Sequence, residues 1–347
     1  MLDESHRNLS TMLNFHITYT GGTVKTTTIF LHSLVKDANV RYTLVANGCS
    51  RSERAWLERL CHHYPRLDLK VLPWPDIAAH GVSLNYLLGH SDEDYFSFMD
   101  SDIFALGEFI PRLEQNLAGA TALFSCMPAL AGHDTKPSEP VTRYHGKLWQ
   151  TADGVVIGVT YLAVYERAAL KECMERFALG FQPYLWAALP LAAQQAIAAR
   201  GLRGQSYDTG KALNMVLGSE GRALRYCPLP ELRHLGNLSW ATNATQVAST
   251  RQGLNRFRAN VRDWGWRQEL TRATRAVMNR LFQRRDPHIG DYFRVALREL
   301  AAGRPAPPLP AHFSGDRGQT ARQLMQEITQ MFAEYRVLHE SIGAERG

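Results

Sequence analysis

Two aspartates, Asp100 and Asp102, stand one residue apart after the apolar run 95–99. The run is aromatic and apolar, which is typical of a buried strand. Alternate side chains of a strand point to the same side, so the two carboxylates would lie together. Desolvating two like charges side by side is costly unless a positive charge lies between them. A divalent cation that carries a diphosphate supplies such a charge, because hard cations bind one or two carboxylates together with phosphate oxygens. A plain acidic turn after a strand is the simpler interpretation.

The segments around this pair resemble a known family. Residues 80–88 have the sequence His-Gly-Val-Ser-Leu-Asn-Tyr-Leu-Leu and lead through a polar loop into the strand that ends at the aspartates. Residues 207–210 are Tyr-Asp-Thr-Gly, and residues 232–236 are Leu-Arg-His-Leu-Gly. In this order the segments resemble the GT-A glycosyltransferases, especially the family-two-like enzymes. The resemblance covers roughly residues 14–240.

The resemblance implies a role for several side chains. Asp100, Asp102 and His234 would form a metal site for Mn²⁺ or Mg²⁺, with Asp100 also contacting the ribose or a metal-bound water. The donor substrate would be a nucleoside-diphosphate sugar, with UDP favoured over GDP as its nucleotide part. Asp208 would be the catalytic base that takes the proton from an acceptor hydroxyl as that oxygen attacks the anomeric carbon. The acceptor would be a glycan, a lipid-linked acceptor or a protein.

The donor-binding positions implied by the same resemblance lie near the ends of the predicted strands and on the helix that precedes the aspartates. They are Thr18, Tyr19, Thr20, Asn47, His80, Asn85, Asp100 and Ser101.

Two positions depart from the family pattern. Tyr207 stands where the family usually has the first acid of a Glu-Asp pair, which leaves the base and the inverting outcome open. Asn47 stands where an acidic residue often lies near the nucleoside, so the choice of nucleobase also stays open, and a plain turn residue is an equal interpretation. Asp208 could instead cap a helix, because Asp is a favoured N-cap residue, and His234 could be an ordinary core histidine.

Three other functions remain as alternatives. Residues 20–28, Thr-Gly-Gly-Thr-Val-Lys-Thr-Thr-Thr, superficially resemble the phosphate loop of partitioning ATPases. A phosphate loop needs a glycine just before its lysine so that backbone N–H groups wrap the phosphates, and Val24 stands there. The second alternative is a nucleotidyltransferase that makes nucleotide sugars, and the third is a binding module on the same fold.

The elements that position these residues alternate between strands and helices, which predicts βαβ units and a mostly parallel sheet covered on both faces. Ligands of such sheets bind outside the carboxyl ends of the strands. The expected fold is α/β of the GT-A kind, Rossmann-like, with a helical C-terminal extension. The pattern also predicts one helix over residues 24–36 and a loop over 132–147.

Three regions are predicted along the chain: an N-terminal arm (1–13), a catalytic domain (14–243) and a helical extension (244–347) with a Pro-rich linker near 304–310. The excess of basic residues lies mostly after residue 250, within a net charge of +6. The Arg-rich stretch 251–285 is interpreted as a solvated helical face, with an anionic membrane surface or a polyanionic acceptor as alternatives. No nucleic-acid module is recognised, so no nucleic-acid partner is expected.

Composition places the chain among ordinary globular proteins, with 45% hydrophobic and 21% charged residues. No stretch has the ~18 uncharged apolar residues of a spanning helix, and the N-terminus lacks the features of a secretory signal. Five widely spread cysteines without Cys-x-x-Cys argue against zinc and redox sites.

The expected location is the cytoplasm, with peripheral contact at the inner face of the membrane left open. An apolar stripe on a terminal helix, 320–342, favours protein contact, with the chain's own core or in a homodimer.

Overall fold

The computed structural model describes residues 12–130, 141–145, 148–151, 155–158, 160–236, 238, 289–311 and 313–344. The strands described there are β1 (Asn14–Thr20), β2 (Arg41–Asn47), β3 (Leu67–Val71), β4 (Tyr95–Asp100), β5 (Ile103–Ala105), β6 (Ala122–Ser125), β7 (Val141–His145), β8 (Leu148–Thr151), β9 (Val156–Ile157), β10 (Leu162–Glu166), β11 (Tyr184–Leu185), β12 (Ser206–Tyr207), β13 (Leu224–Tyr226) and β14 (Leu232–His234). The α-helices are α1 (Val24–Thr27), α2 (Ile29–Asp37), α3 (Arg51–His63), α4 (His80–Gly89), α5 (Ile110–Leu117), α6 (Arg167–Phe177), α7 (Leu191–Ala199), α8 (Lys211–Ser219), α9 (Ile289–Ala301) and α10 (Gly315–Ala344).

Among the described residues, seven strands form the central sheet in the order β3-β2-β1-β4-β10-β6-β13. All of its strands run in one direction except β10, which is antiparallel to both neighbours. The predicted α/β fold with a mostly parallel sheet is therefore confirmed. The pairing register places Thr18 beside Asp100 and Thr20 beside Asn47, so the polar residues that end these strands share one edge.

The sheet is buried on both faces, which is typical of mostly parallel sheets. Side chains alternate between the faces with a period of two. Phe15, Ile17 and Met99 pack on one side with α2, α3 and α5. Phe96 and Phe98 pack on the other with α4, α6 and α8. Each such side chain contributes about 1.5–3 kcal/mol when fully buried, so these rows of apolar residues hold the strand that carries Asp100 rigidly in the core.

Two local predictions are wrong. The helix predicted over 24–36 is divided into α1 and α2 at Thr28. Here the hydroxyls of Thr26 and Thr27 donate to the carbonyl of Thr23, and Thr28 donates to Val24. Such bonds compete with helical geometry, and β-branched residues are stiff within a helix. The second error lies within the predicted loop 132–147, where β7 pairs with β8.

The chain divides into two compact units, residues 1–234 with 337–347, and residues 235–336. The second unit contains α9 and most of α10, and residues 304–310 between these helices form neither helix nor strand. The predicted boundary at 243, the Arg-rich stretch 251–285 and residues 1–11 of the predicted arm lie outside the described residues. None of the described helices is long and apolar enough to cross a membrane.

The last turns of α10 belong to the first unit, where His339 closes a chain of hydrogen bonds. His339 Nε2 lies 3.3 Å from the carbonyl oxygen of Lys25, and its Nδ1 lies 2.9 Å from Nε2 of His32. Nδ1 of His32 lies 2.7 Å from the hydroxyl of Tyr64. Burial lowers the pKa of both histidines, so both are neutral at pH 7. A carbonyl only accepts, so Nε2 of a neutral His339 donates, His32 donates to His339, and Tyr64 donates to His32. These hydrogen bonds fasten the last turns of α10 to the core.

This pair should make the stability of the first unit dependent on pH. Burial, reinforced by His339 and His63, lowers the pKa of His32 to about 3, and burial also lowers the pKa of His339. Below the ordinary value of 6.5 the unfolded chain binds more protons than the folded chain. Stability is thus fully present above pH 6.5 and falls as the pH decreases towards about 3, by up to ~1.4 kcal/mol per pH unit for each proton taken up.

The measurement is the free energy of unfolding in urea from pH 7.5 to 4, for the wild type and His339→Gln. Glutamine offers the same acceptor and donor but does not titrate, so its profile should be shallower below pH 6.5. His62→Gln, which removes an exposed histidine of α3, is the matched control and should follow the wild type. Parallel profiles for the wild type and His339→Gln would contradict the expectation.

Candidate metal centre and active site

The two aspartates flank a tight turn between β4 and β5, and the pairing of β14 with β5 brings His234 opposite Ile103. Nε2 of His234 consequently lies 3.1 Å from Oδ1 of Asp102 and 3.4 Å from Oδ2 of Asp100. One ligand atom from each of the three residues falls within 4.8 Å of the others. The structure therefore brings together the three side chains that the sequence suggested as metal ligands.

The three side chains differ in exposure. The side chain of His234 is 1% exposed and that of Asp102 is 6% exposed, whereas that of Asp100 is 29% exposed. Burial by itself lowers the pKa of His234, but the carboxylates of Asp102 and Asp100 together raise it to about 10. Two carboxylates this close to one imidazole create a site that attracts cations. Asp100 forms the side of the site that is open to solvent.

His234 is oriented by a strained residue, Cys126. Nδ1 of His234 donates to the carbonyl oxygen of Cys126 over 2.7 Å, and Cys126 has a left-handed backbone with φ of 58°. Non-glycine residues in this region are uncommon, and the strain often occurs at functional sites. Burial raises the pKa of the Cys126 thiol to about 12, so this residue acts through its carbonyl.

The hydrogen bond to Cys126 directs Nε2 of His234 towards the carboxylates of Asp100 and Asp102. This buried nitrogen makes no well-formed hydrogen bond, although Asp102 is close. A metal-ligating histidine typically donates its other ring N–H to a backbone carbonyl or a carboxylate, as Nδ1 of His234 does to Cys126. The donor set of two carboxylates and one imidazole fits a divalent cation.

Tyr161 forms the neighbouring wall of the site. Its ring lies 4.9 Å from that of His234, centre to centre, and its carbonyl oxygen accepts a 2.7 Å hydrogen bond from the backbone N–H of Asp100. Neither Tyr161 nor Cys126 was expected from the sequence. Both contribute a backbone carbonyl, which every residue type carries, so no signal in the sequence marks them.

The first strand contributes residues at the same edge. Thr18 is half-buried beside Asp100, and Ser101 is buried in the turn itself. The carbonyl oxygen of Thr20 accepts from the backbone and the hydroxyl of Thr23. The ring of Tyr19 lies in the core, so any contact of Tyr19 with a nucleotide would come from its backbone.

The remaining donor-side residues direct their polar atoms to the protein. The amide of Asn47 makes two hydrogen bonds with the backbone of Ala78, of 3.0 and 2.7 Å, and so holds the loop that precedes α4. Asn85 likewise bonds to the segment 181–182. The ring of His80 packs edge-on against Phe98 of β4.

Asp208 is exposed and follows β12 directly. It does not cap α8, because Gly210 occupies the N-cap position, and its carboxylate accepts from the N–H of Thr209. Gly210 packs against Thr160, since a Cβ on this glycine would lie 2.6 Å from the Thr160 methyl carbon. Thr160 precedes Tyr161, so this series of contacts connects the segment of Asp208 to the wall of the metal site.

No protein-family model and no curated protein matches the chain. Solved structures that match include the galactosyltransferase LgtC with donor and acceptor sugar analogs, at a TM-score of 0.39 and 11% identity over 62% of this chain and 73% of that chain. The mannosyltransferase PcManGT from Pyrobaculum calidifontis, with GDP-Man and Mn²⁺, matches with a TM-score of 0.37 and 13% identity over 93% and 86%. A 4-diphosphocytidyl-2C-methyl-D-erythritol synthase from Anaerococcus prevotii matches with a TM-score of 0.38 and 11% identity. The match covers 68% of this chain and 99% of that chain.

The solved structures that match thus include glycosyltransferases, as the resemblance read from the sequence led us to expect.

Proposed function

We propose that this protein is a metal-dependent glycosyltransferase that moves a sugar from a nucleoside-diphosphate sugar to a hydroxyl acceptor. The observation that carries the proposal is the convergence of Asp100, Asp102 and His234 at the carboxyl edge of the sheet, with the buried Nε2 of His234 within 3.4 Å of a carboxylate oxygen of each aspartate. Diphosphates bound through a cation are the ligands that such an edge suits.

In this proposal Asp102 and His234 hold the cation from the buried side and Asp100 from the open side. When bound, Mn²⁺ or Mg²⁺ neutralises the charge of a nucleoside-diphosphate leaving group. Thr18, beside Asp100, is placed to contact the donor. The exposed carboxylate of Asp208 takes the proton of the acceptor hydroxyl as that oxygen bonds to the anomeric carbon and the bond from this carbon to the nucleoside diphosphate breaks. A single displacement of this kind inverts the configuration of the sugar.

The finer assignments are proposals of the same kind. UDP is favoured over GDP, and the acceptor is a glycan, a lipid-linked acceptor or a protein. All five cysteines are free, which suits a reducing compartment such as the cytoplasm. Peripheral contact with the inner face of the membrane and a homodimer are further parts of the proposal, and liposome sedimentation and light scattering would test them.

The test is a thermal-shift screen with UDP, GDP and ATP, each with and without Mn²⁺, followed by incubation with a panel of nucleotide sugars. We expect stabilisation by UDP only when Mn²⁺ is present, and metal-dependent release of nucleoside diphosphate. Release of pyrophosphate from a nucleoside triphosphate and a sugar phosphate would instead indicate the nucleotidyltransferase. Stabilisation of the protein by ATP but not by UDP or GDP, together with hydrolysis of ATP, would indicate the ATPase. Binding without turnover would indicate a binding module.

A further inference from the structure

Gly81 and Asn85 lie four residues apart on one face of α4, and both contact the segment 180–182. A Cβ on Gly81 would lie 2.6 Å from the backbone of Gln182 and from the carbonyl oxygen of Phe181, so only glycine permits this approach. Oδ1 of Asn85 accepts from the N–H of Phe181 over 2.8 Å, and Nδ2 donates to Oε1 of Gln182 over 2.7 Å. Helix α4 thus holds this segment by close backbone packing and by one amide.

Phe181 in turn holds the start of α8. The N–H of Gly210 donates to the carbonyl oxygen of Phe181 over 2.8 Å. Gly210 has a left-handed backbone, with φ of 70°, and packs against Thr160 on its other side. The residue is therefore fixed from two directions, and Asp208 lies only two residues ahead of it. Strand β12, which Asp208 follows directly, pairs with β11 over only two residues.

We infer that Asn85 is a positioning residue that fixes Asp208 relative to the metal centre, rather than a residue that touches the donor. This inference rests on the proposed function for the role of Asp208. Both polar atoms of the Asn85 amide are bonded to the segment 181–182, and the contacts continue through Gly210 and Thr160 to Tyr161. Tyr161 accepts from the backbone of Asp100, so the same series of contacts ends at the metal ligands.

The first arm of the experiment is steady-state kinetics of Asn85→Ala. A displacement of about 1 Å in a reacting group can cost ~100-fold in rate. We expect kcat for transfer to fall by about 10- to 100-fold, while the KM for the donor and the metal-dependent hydrolysis of the donor by water change less than about threefold. A residue that binds the donor directly would instead raise the donor KM.

Two matched variants separate positioning from a general loss of structure. Asn85→Asp keeps an oxygen that accepts from Phe181 and should restore transfer to within about threefold of the wild type. Gln182→Ala removes only the hydrogen bond that Nδ2 of Asn85 donates, so its kcat for transfer should also stay within about threefold of the wild type. Thermal unfolding of each variant shows whether the fold is kept.

The second arm does not depend on activity and uses amide hydrogen exchange of the full chain. In Asn85→Ala the N–H of Gly210 and its neighbours in 208–211 should exchange faster, whereas β4 and β14 stay protected. Unchanged exchange at Gly210 overturns the inference, and so does faster exchange with wild-type kcat. If the wild-type protein turns over no nucleotide sugar, the proposed function fails, and exchange at Gly210 still shows whether Asn85 holds the segment of Asp208.

Discussion

Replacing Asp102 with alanine is expected to abolish metal-dependent binding of the nucleotide sugar. The side chain is almost fully buried 3.1 Å from His234 and supplies the inner carboxylate of the site. Loss of a residue that only supports a metal ligand typically weakens metal binding about 10- to 100-fold, so loss of the ligand itself should weaken metal binding at least ~100-fold. The measurement is calorimetric titration of UDP in the presence and absence of Mn²⁺.

The fold should survive this change, because Nδ1 of His234 keeps its hydrogen bond to Cys126. Asp102→Asn, which keeps the shape but removes the charge, provides a second test if the alanine variant is unstable. Asp94→Ala is the matched control, since Asp94 is exposed just before the same strand. An unchanged metal-dependent affinity in a folded Asp102→Ala protein would overturn the assignment of the metal site.

Replacing Asp208 with asparagine is expected to reduce transfer by about two to four orders of magnitude, the usual contribution of a positioned general base. Asparagine keeps the acceptor oxygen for the N–H of Thr209, so the local backbone should be preserved. Donor binding should stay close to that of the wild type, because the carboxylate acts mainly in the transition state. The measurements are kcat for transfer and the affinity for UDP with Mn²⁺.

Ser206→Ala, at an exposed position of the same short strand, is the control for disturbance of β12. Transfer at a near wild-type rate by Asp208→Asn would mean that the base lies elsewhere or that the configuration of the sugar is retained. Analysis of the anomeric configuration of the product distinguishes these two outcomes.

The clustering of Asp100, Asp102 and His234 could be predicted because its signals in the sequence are local. An aromatic run that ends in Asp-x-Asp indicates both a buried strand and paired carboxylates, and the order of the segments indicated His234. The alternation of strands and helices likewise predicted the sheet. These features depend on residue type and spacing, which a single sequence displays directly.

The hydrogen-bond partners of Asn47 and Asn85 could not be predicted in this way. Both residues stand at the edge where a donor would bind, but their amides bond to the backbone of loops that are distant in sequence. Whether an amide faces a ligand or a neighbouring loop depends on tertiary packing. The hydrogen bonds that the backbone carbonyls of Cys126 and Tyr161 accept could not be predicted for a related reason. Every residue type has a backbone carbonyl, so the residue type does not indicate such a contact.

The hydrogen bonds of His339 also bear on the order in which the protein is made. His32 and Trp56 lie in α2 and α3 and Tyr64 directly follows α3, but the side chain that covers them, His339, lies in the last turns of α10. During synthesis from the N-terminus this part of the core stays uncovered until the last turns of α10 have been translated. Domains generally fold as units as they emerge, but the first unit can be completed only after all residues of the second unit have been synthesised. A chain that stops before α10 would lack this cover.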